Sequence, residues 1–155
     1  MNLMPWLLVV ALLVVTVVLL YELSRARQRT AWAERDAELA ATGVLTLGTY
    51  QHLAMRTAKP QEYRERLLHG ALGACAEVGE LATTVKAHVF YGKALDQRNV
   101  AEEVGDALWF LQLVATAAGL SMDDVATANV EKLRARYPHL YSNEAALARV
   151  DKGGA

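Results

Sequence analysis

The sequence has one cysteine, Cys75, so no disulfide can form within the chain. Cys75 lies among helical apolar positions, which predicts a packed side chain and not a reactive one. No stretch shows the strict apolar–polar alternation of a strand, which excludes a β fold. No sign of charge dominates. The formal net charge is -1, and this gives no general case for nucleic-acid binding. His52, His69, His88 and His139 occur in no Glu-x-x-His spacing, which argues against a ferritin-like di-iron centre. Proline is scarce, and Pro60 and Pro138 serve as helix breakers.

What is present centres on residues 77–106. A short pattern occurs twice, Glu77-Val-Gly-Glu80 and Glu103-Val-Gly-Asp106. On a helix, acids three residues apart share one face, about one turn apart. Four acids on the facing sides of two antiparallel helices repel unless a cation sits between them. Oxygen ligands with no Cys or His suit Mg²⁺, with Mn²⁺ possible, and not zinc. A glycine sits between the acids in both copies, Gly79 and Gly105. Glycine costs a helix about 1 kcal/mol relative to alanine, so its repetition suggests close approach of a backbone or ligand there.

The N-terminal part has a different composition. Leu3 to Tyr21 is almost wholly apolar. At 1.5 Å per residue such a run reaches about 28 Å, close to the ~30 Å thickness of bilayer hydrocarbon. A secretory signal would carry basic residues before the run and a small-x-small site after it, and neither is evident. Residues 1–23 thus read as a single transmembrane anchor. Arg25, Arg27 and Arg29 follow it, giving residues 1–30 a local charge of +2 and leaving -3 on the rest. The positive-inside rule then places the C-terminal side in the cytoplasm, as a single-pass membrane protein. Trp6 and Tyr21 suit the two interfaces. Residues 24–43, rich in Ala, Arg and Glu, read as a helical stalk ending at Gly43.

Residues 44–155 form the remaining domain, and its helices can be read in order. Thr46 or Thr49 caps a helix over 48–57, and Pro60 follows it. Leu67, Ala71, Ala74, Val78, Leu81, Val85 and Val89 form a helical stripe within 61–90, bordered by Glu77 and Glu80. Asp96 caps a helix over 97–118 with apolar positions at Val100, Val104, Ala107, Leu108, Leu111, Val114 and Ala118, again flanked by Glu103 and Asp106. Ser121-x-x-Asp124 opens a helix over 122–136, and a short helix is expected near 143–149. The fold class is all-α.

Asn129, Lys132 and Arg136 share one face of the 122–136 helix. Two cations and an amide can bind phosphate, or can form a solvated basic face. Lys86 either reaches the same ligand or faces water. Trp109 either stacks on a base or packs in the core, and His69 has the same two readings. Glu102, beside the acids, is a candidate proton acceptor.

Taken together these residues resemble the MazG-like branch of the all-α nucleoside triphosphate pyrophosphohydrolases. The matching stretches are the two acidic motifs, the second followed by Ala-Leu-Trp109, and Asn129-Val-Glu-Lys132-Leu-Arg-Ala-Arg136-Tyr-Pro138. Thr49-Tyr50-Gln51 and Tyr141 add to the likeness, which spans about 45–150. It implies an antiparallel helical bundle and Mg²⁺-dependent cleavage of a nucleoside triphosphate to the monophosphate and pyrophosphate. It also implies that Glu77, Glu80, Glu103 and Asp106 are the catalytic, metal-holding acids. Lys86, Asn129, Lys132, Arg136 and Trp109 would then bind substrate, and the chain would form homodimers or homotetramers. A membrane-tethered binding or interaction module of the same fold, without useful catalysis, is the alternative class. The N-terminal span departs from the soluble family pattern.

Overall fold

The computed structural model describes residues 4–152. Among these every regular element is helical. The chain divides into two compact units, one ending at Leu45 and one starting at Thr46.

The first unit is one helix, α1 (Met4–Thr42), of 39 residues. At 1.5 Å per residue it is about 58 Å long, roughly twice a bilayer's hydrocarbon thickness. The apolar run and the following Arg- and Glu-rich stretch therefore share a single uninterrupted helix. Its apolar part is long enough to cross a membrane, and its side chains are exposed. The Arg25 guanidinium lies 5.6 Å from the Tyr21 ring centroid, a cation–π contact. Gly43, at φ +64, ends the helix in the left-handed conformation that glycine adopts without strain.

The second unit holds α2 (Leu47–Ala54) with a 3-10 turn at Met55–Thr57, α3 (Tyr63–Tyr91), α4 (Gln97–Ala117), α5 (Met122–Arg136) and α6 (Asn143–Ala148). A final 3-10 turn covers Val150–Lys152. Three of the four side-chain caps, Thr46, Asp96 and Ser121, are those expected from the sequence, and Ser142 adds a fourth. Thr46, Asp96, Ser121 and Ser142 each accept a hydrogen bond from the backbone N–H three residues on.

The α3–α4 hairpin is the main packing unit. Gly70 lies against Val114, Gly73 against Phe110, and Thr84 against Asn99, so residue numbers fall along α4 as they rise along α3. The two helices are antiparallel. Their contact face is not centred on the predicted apolar stripe. Ala74 is buried and Leu67 and Leu81 are half-buried, but Ala71, Val78, Val85 and Val89 are exposed. The inward positions of α3 run through Gly70, Gly73, Ala74, Glu77, Leu81 and Thr84. On α4, Glu103, Ala107, Gln112, Leu113 and Ala115 are buried, whereas Val104, Leu111 and Ala118 are exposed. The reason is steric: helices approach where side chains are smallest, and an apolar count gives glycine no weight.

The glycine expectation also changes. A Cβ at Gly79 or Gly105 would meet nothing within 4 Å, so neither marks a close approach of another helix within the chain. Close approach occurs about two turns earlier on α3, at Gly73 and Gly70. A Cβ at Gly70 would lie 3.1 Å from both Phe110 O and Val114 N, and one at Gly73 would lie 2.3 Å from the Phe110 ring. Cys75 is exposed, not packed.

Polar contacts fix α2 to the turn between α4 and α5. Gln51 Nε2 donates to Thr116 Oγ1 (2.9 Å) and Leu120 O (3.0 Å), and Met122 N donates to Gln51 Oε1 (2.9 Å). Gly48 N donates to Asp123 Oδ1 at 2.9 Å. The axis of α5 departs from that of α4 by 101°, and no α5 residue is buried.

The packing makes two substitutions opposite in sign. Gly70→Ala adds a methyl against backbone atoms that cannot rotate away. Overpacking of this kind costs about 1–3 kcal/mol, of which alanine's helix propensity returns up to ~1. Gly79→Ala gains that propensity without a clash, about 0.5–1 kcal/mol. Urea unfolding of the full chain is expected to show a lower midpoint for Gly70→Ala and a higher one for Gly79→Ala. A lower midpoint for both would contradict this packing.

Candidate metal and nucleotide site

The hairpin brings three of the four acids together. One carboxylate oxygen from each of Glu77, Glu80 and Glu103 lies within 4.8 Å of the others. Glu103 is buried, Glu77 half-buried and Glu80 exposed, so the cluster runs from the helix contact out to solvent. The site therefore opens from the α3–α4 contact to solvent. Asp106 is exposed and lies outside that trio, but its charge acts on Glu77 and on Tyr50 of α2.

The electrostatics follow from this placement. Burial, a hydrogen bond to Glu103, and the charges of Glu80, Asp106 and Glu103 all hold the Glu77 carboxyl above its usual range. Burial and the Asp106 charge raise the Tyr50 phenol. Glu103 has a neutral donor: Asn99 Nδ2 hydrogen-bonds Glu103 Oε1 at 2.8 Å. Asn99 Oδ1 in turn accepts from the Thr84 hydroxyl across the hairpin.

Oxygens bound to one Mg²⁺ at about 2.1 Å lie at most ~4.2 Å apart. A trio within 4.8 Å is thus close to the spacing that a single divalent ion requires. The donor set is all carboxylate, which fits Mg²⁺ or Mn²⁺.

The other candidates lie elsewhere. Lys86 is exposed on α3. Asn129 and Lys132 are exposed on α5, which packs chiefly against α2 and the C-terminal 3-10 turn. Arg136 is engaged within the chain: its Nε and Nη2 donate to Asp151 Oδ1 (2.6 Å) and Oδ2 (2.5 Å). The Asp151 side chain is 1% exposed, and Arg136 holds its carboxyl below the usual range. Trp109 is half-buried. Its Nε1 donates to Thr57 Oγ1 (2.9 Å) and Ala54 O (3.2 Å), and its ring packs edge-on against Phe110. His69 Nδ1 meets Gln61 Oε1 at 3.1 Å, and its ring packs edge-on against Phe110 and Trp109. Glu102 is turned to Arg98, 3.3 Å away on the surface.

Tyr50, Thr84 and Asn99 are the neighbours of the acids that motif reading passed over. The spacing held one signal. Asn99 and Glu103 are four apart and share a helix face, so a donor for the acid was readable there.

Glu77 makes stability depend on pH in a definite direction. A carboxyl held above its unfolded value favours the folded chain below that unfolded value. The contribution is lost as pH rises through the folded value. Glu77→Gln cannot lose it. In EDTA, the Tm of Glu77→Gln minus that of wild type is expected to open as pH rises above the ordinary carboxyl range of about 4. It should be constant once Glu77 is fully ionised. A difference that stays flat or closes over this range would show that the acids do not repel one another.

Residues 69–141 match the family model of the MazG nucleotide pyrophosphohydrolase domain. No curated protein sequence matches the chain. No solved structure matches it either. The matched residues take in both acidic motifs, α3 from His69 onward and the whole of α4 and α5. Behind its apolar N-terminal helix, this chain therefore carries an all-α unit of which residues 69–141 match the MazG nucleotide pyrophosphohydrolase domain.

Proposed function

We propose that the chain hydrolyses a nucleoside triphosphate to its monophosphate and pyrophosphate in a Mg²⁺-dependent reaction. The observation that carries this reading is the convergence of Glu77, Glu80 and Glu103 inside the segment that matches the family model. Those three acids and Asp106 would hold the ion. When bound, a divalent ion supplies charge neutralisation to the phosphate oxygens and acidity to the attacking water. The rest falls to the chain's own residues. A carboxylate of the set takes the proton as water oxygen bonds to the α-phosphorus. The bond from that phosphorus to the bridging oxygen breaks, and pyrophosphate leaves with its electron pair. Lys86, Asn129 and Lys132 bind phosphates and sugar. Arg136 does so when Asp151 releases it, and Trp109 borders the base.

Two further features belong to this reading. Leu72, Val78, Val104 and Leu111 are exposed on the hairpin that carries the acids, and their number supports a homodimer or homotetramer that covers them. The apolar part of α1, followed by Arg25, Arg27 and Arg29, supports a membrane anchor with the catalytic domain on the cytoplasmic side.

Steady-state pyrophosphate release from a panel of NTPs and dNTPs tests the proposal. Wild type is expected to turn over at least one nucleotide with Mg²⁺, and Glu103→Gln to abolish release. Lys132→Ala removes one charge-assisted contact, worth about 1.5–3 kcal/mol, or roughly a tenfold to hundredfold loss in kcat/KM. If wild type binds nucleotide but releases no pyrophosphate above the Glu103→Gln background, the chain is a binding module and the enzyme reading fails.

A further inference from the structure

We propose that Asn99 is a positioning residue for Glu103, with its amide held by Thr84 from the opposite helix. The inference rests on the reading of Glu103 as a metal-holding carboxylate.

Glu103 is the most buried of the clustered acids, at 7% exposed. A buried carboxylate needs hydrogen-bond donors, or its burial is costly. Asn99 Nδ2 supplies one at 2.8 Å. A lysine or arginine at this position would also donate, but its charge would compete with a cation for the same carboxylate. An amide fixes the side chain and leaves Glu103's charge available.

An asparagine can present either end of its amide, and the wrong end would place two acceptors face to face. Glu103, an acceptor, selects the Nδ2 end, and the Thr84 hydroxyl donates to Asn99 Oδ1 at the other end, which pins the amide in that orientation. The Asn99 backbone is fixed separately, since its N–H donates to the capping Asp96 Oδ1 at 3.0 Å. The three side chains thus form a relay from α3 through the first turn of α4 to the acid. Asparagine is a weaker helix former than alanine, so helix stability alone does not favour it here.

The test is Mn²⁺ affinity of the full chain, measured by calorimetry on wild type, Asn99→Ala, Thr84→Val and Thr84→Ser. Loss of a hydrogen-bond partner behind a metal ligand typically lowers metal affinity about 10- to 100-fold. Asn99→Ala should fall in that range. Thr84→Val should lose several-fold, because the amide then loses the contact at Oδ1 that pins it, while Thr84→Ser should stay at the wild-type value. The Mg²⁺ concentration needed for half-maximal activity should rise in the same order, and saturating Mg²⁺ should restore kcat. Unchanged Mn²⁺ affinity in Asn99→Ala, or equal affinities in Thr84→Val and Thr84→Ser, would overturn the positioning role. Should Asn99→Ala fail to fold, the Thr84 pair decides alone. If wild type itself binds no Mn²⁺, the metal reading fails and the inference falls with it.

Discussion

Mutual repulsion among carboxylates is the constraint on which the functional half of this molecule depends. Glu77, Glu80 and Glu103 place oxygens within 4.8 Å of one another, and Asp106 adds its charge. Two of these acids lie in a helix contact where a side chain of that size would ordinarily be apolar. The metal-free chain eases the repulsion by keeping the Glu77 carboxyl's proton more tightly bound and by hydrogen-bonding Glu77 to Glu103. A divalent cation would relieve it more completely, since one ion can neutralise two charges without a proton.

The rest of the hairpin makes that crowding possible. Gly70 and Gly73 let α3 and α4 come close at one end, so that residues farther along, Glu77 with Glu103 and Thr84 with Asn99, meet directly. Gly92, at φ +65, ends α3 and begins the reversal, and Asp96 caps α4 before its acids begin. At the other end, Trp109 holds the last residues of α2, and Gln51 ties α2 to the start of α5. Polar contacts thus do much of the fastening in a domain whose buried apolar residues are few.

Several helices were legible from the sequence because they have a start signal that works locally, such as Asp96 or Ser121, or a stop such as Gly92 or Gly119. The acids were legible because the motif repeats. Which face of α3 turns inward was not, because glycine carries no hydrophobic signal and yet decides where helices touch. Apolar Val78, Val85 and Val89 were therefore read as facing inward, and the close helix approach was expected near Gly79 and Gly105 when it lies at Gly70 and Gly73. The Arg136–Asp151 pair was also invisible: it joins the end of α5 to a weakly patterned tail, and no short-range periodicity links positions 15 apart. Thr84 escaped for the same reason, since its partner Asn99 lies across a turn.

The basic residues of α5 and the acids of the hairpin stand on elements with different directions, which gives Asp151 a second significance. It occupies the planar fork of Arg136 with the same two-point geometry that a phosphate would use. Binding of a triphosphate at Arg136 would have to displace it.

The most direct measurement is the anomalous scattering of crystals of the full chain soaked in Mn²⁺. A peak bounded by the carboxylates of Glu77, Glu80 and Glu103, and lost in Glu103→Gln, is the predicted result. A map with no peak among these acids, or with Mn²⁺ held only elsewhere on the surface, would contradict a metal centre built by the α3–α4 hairpin.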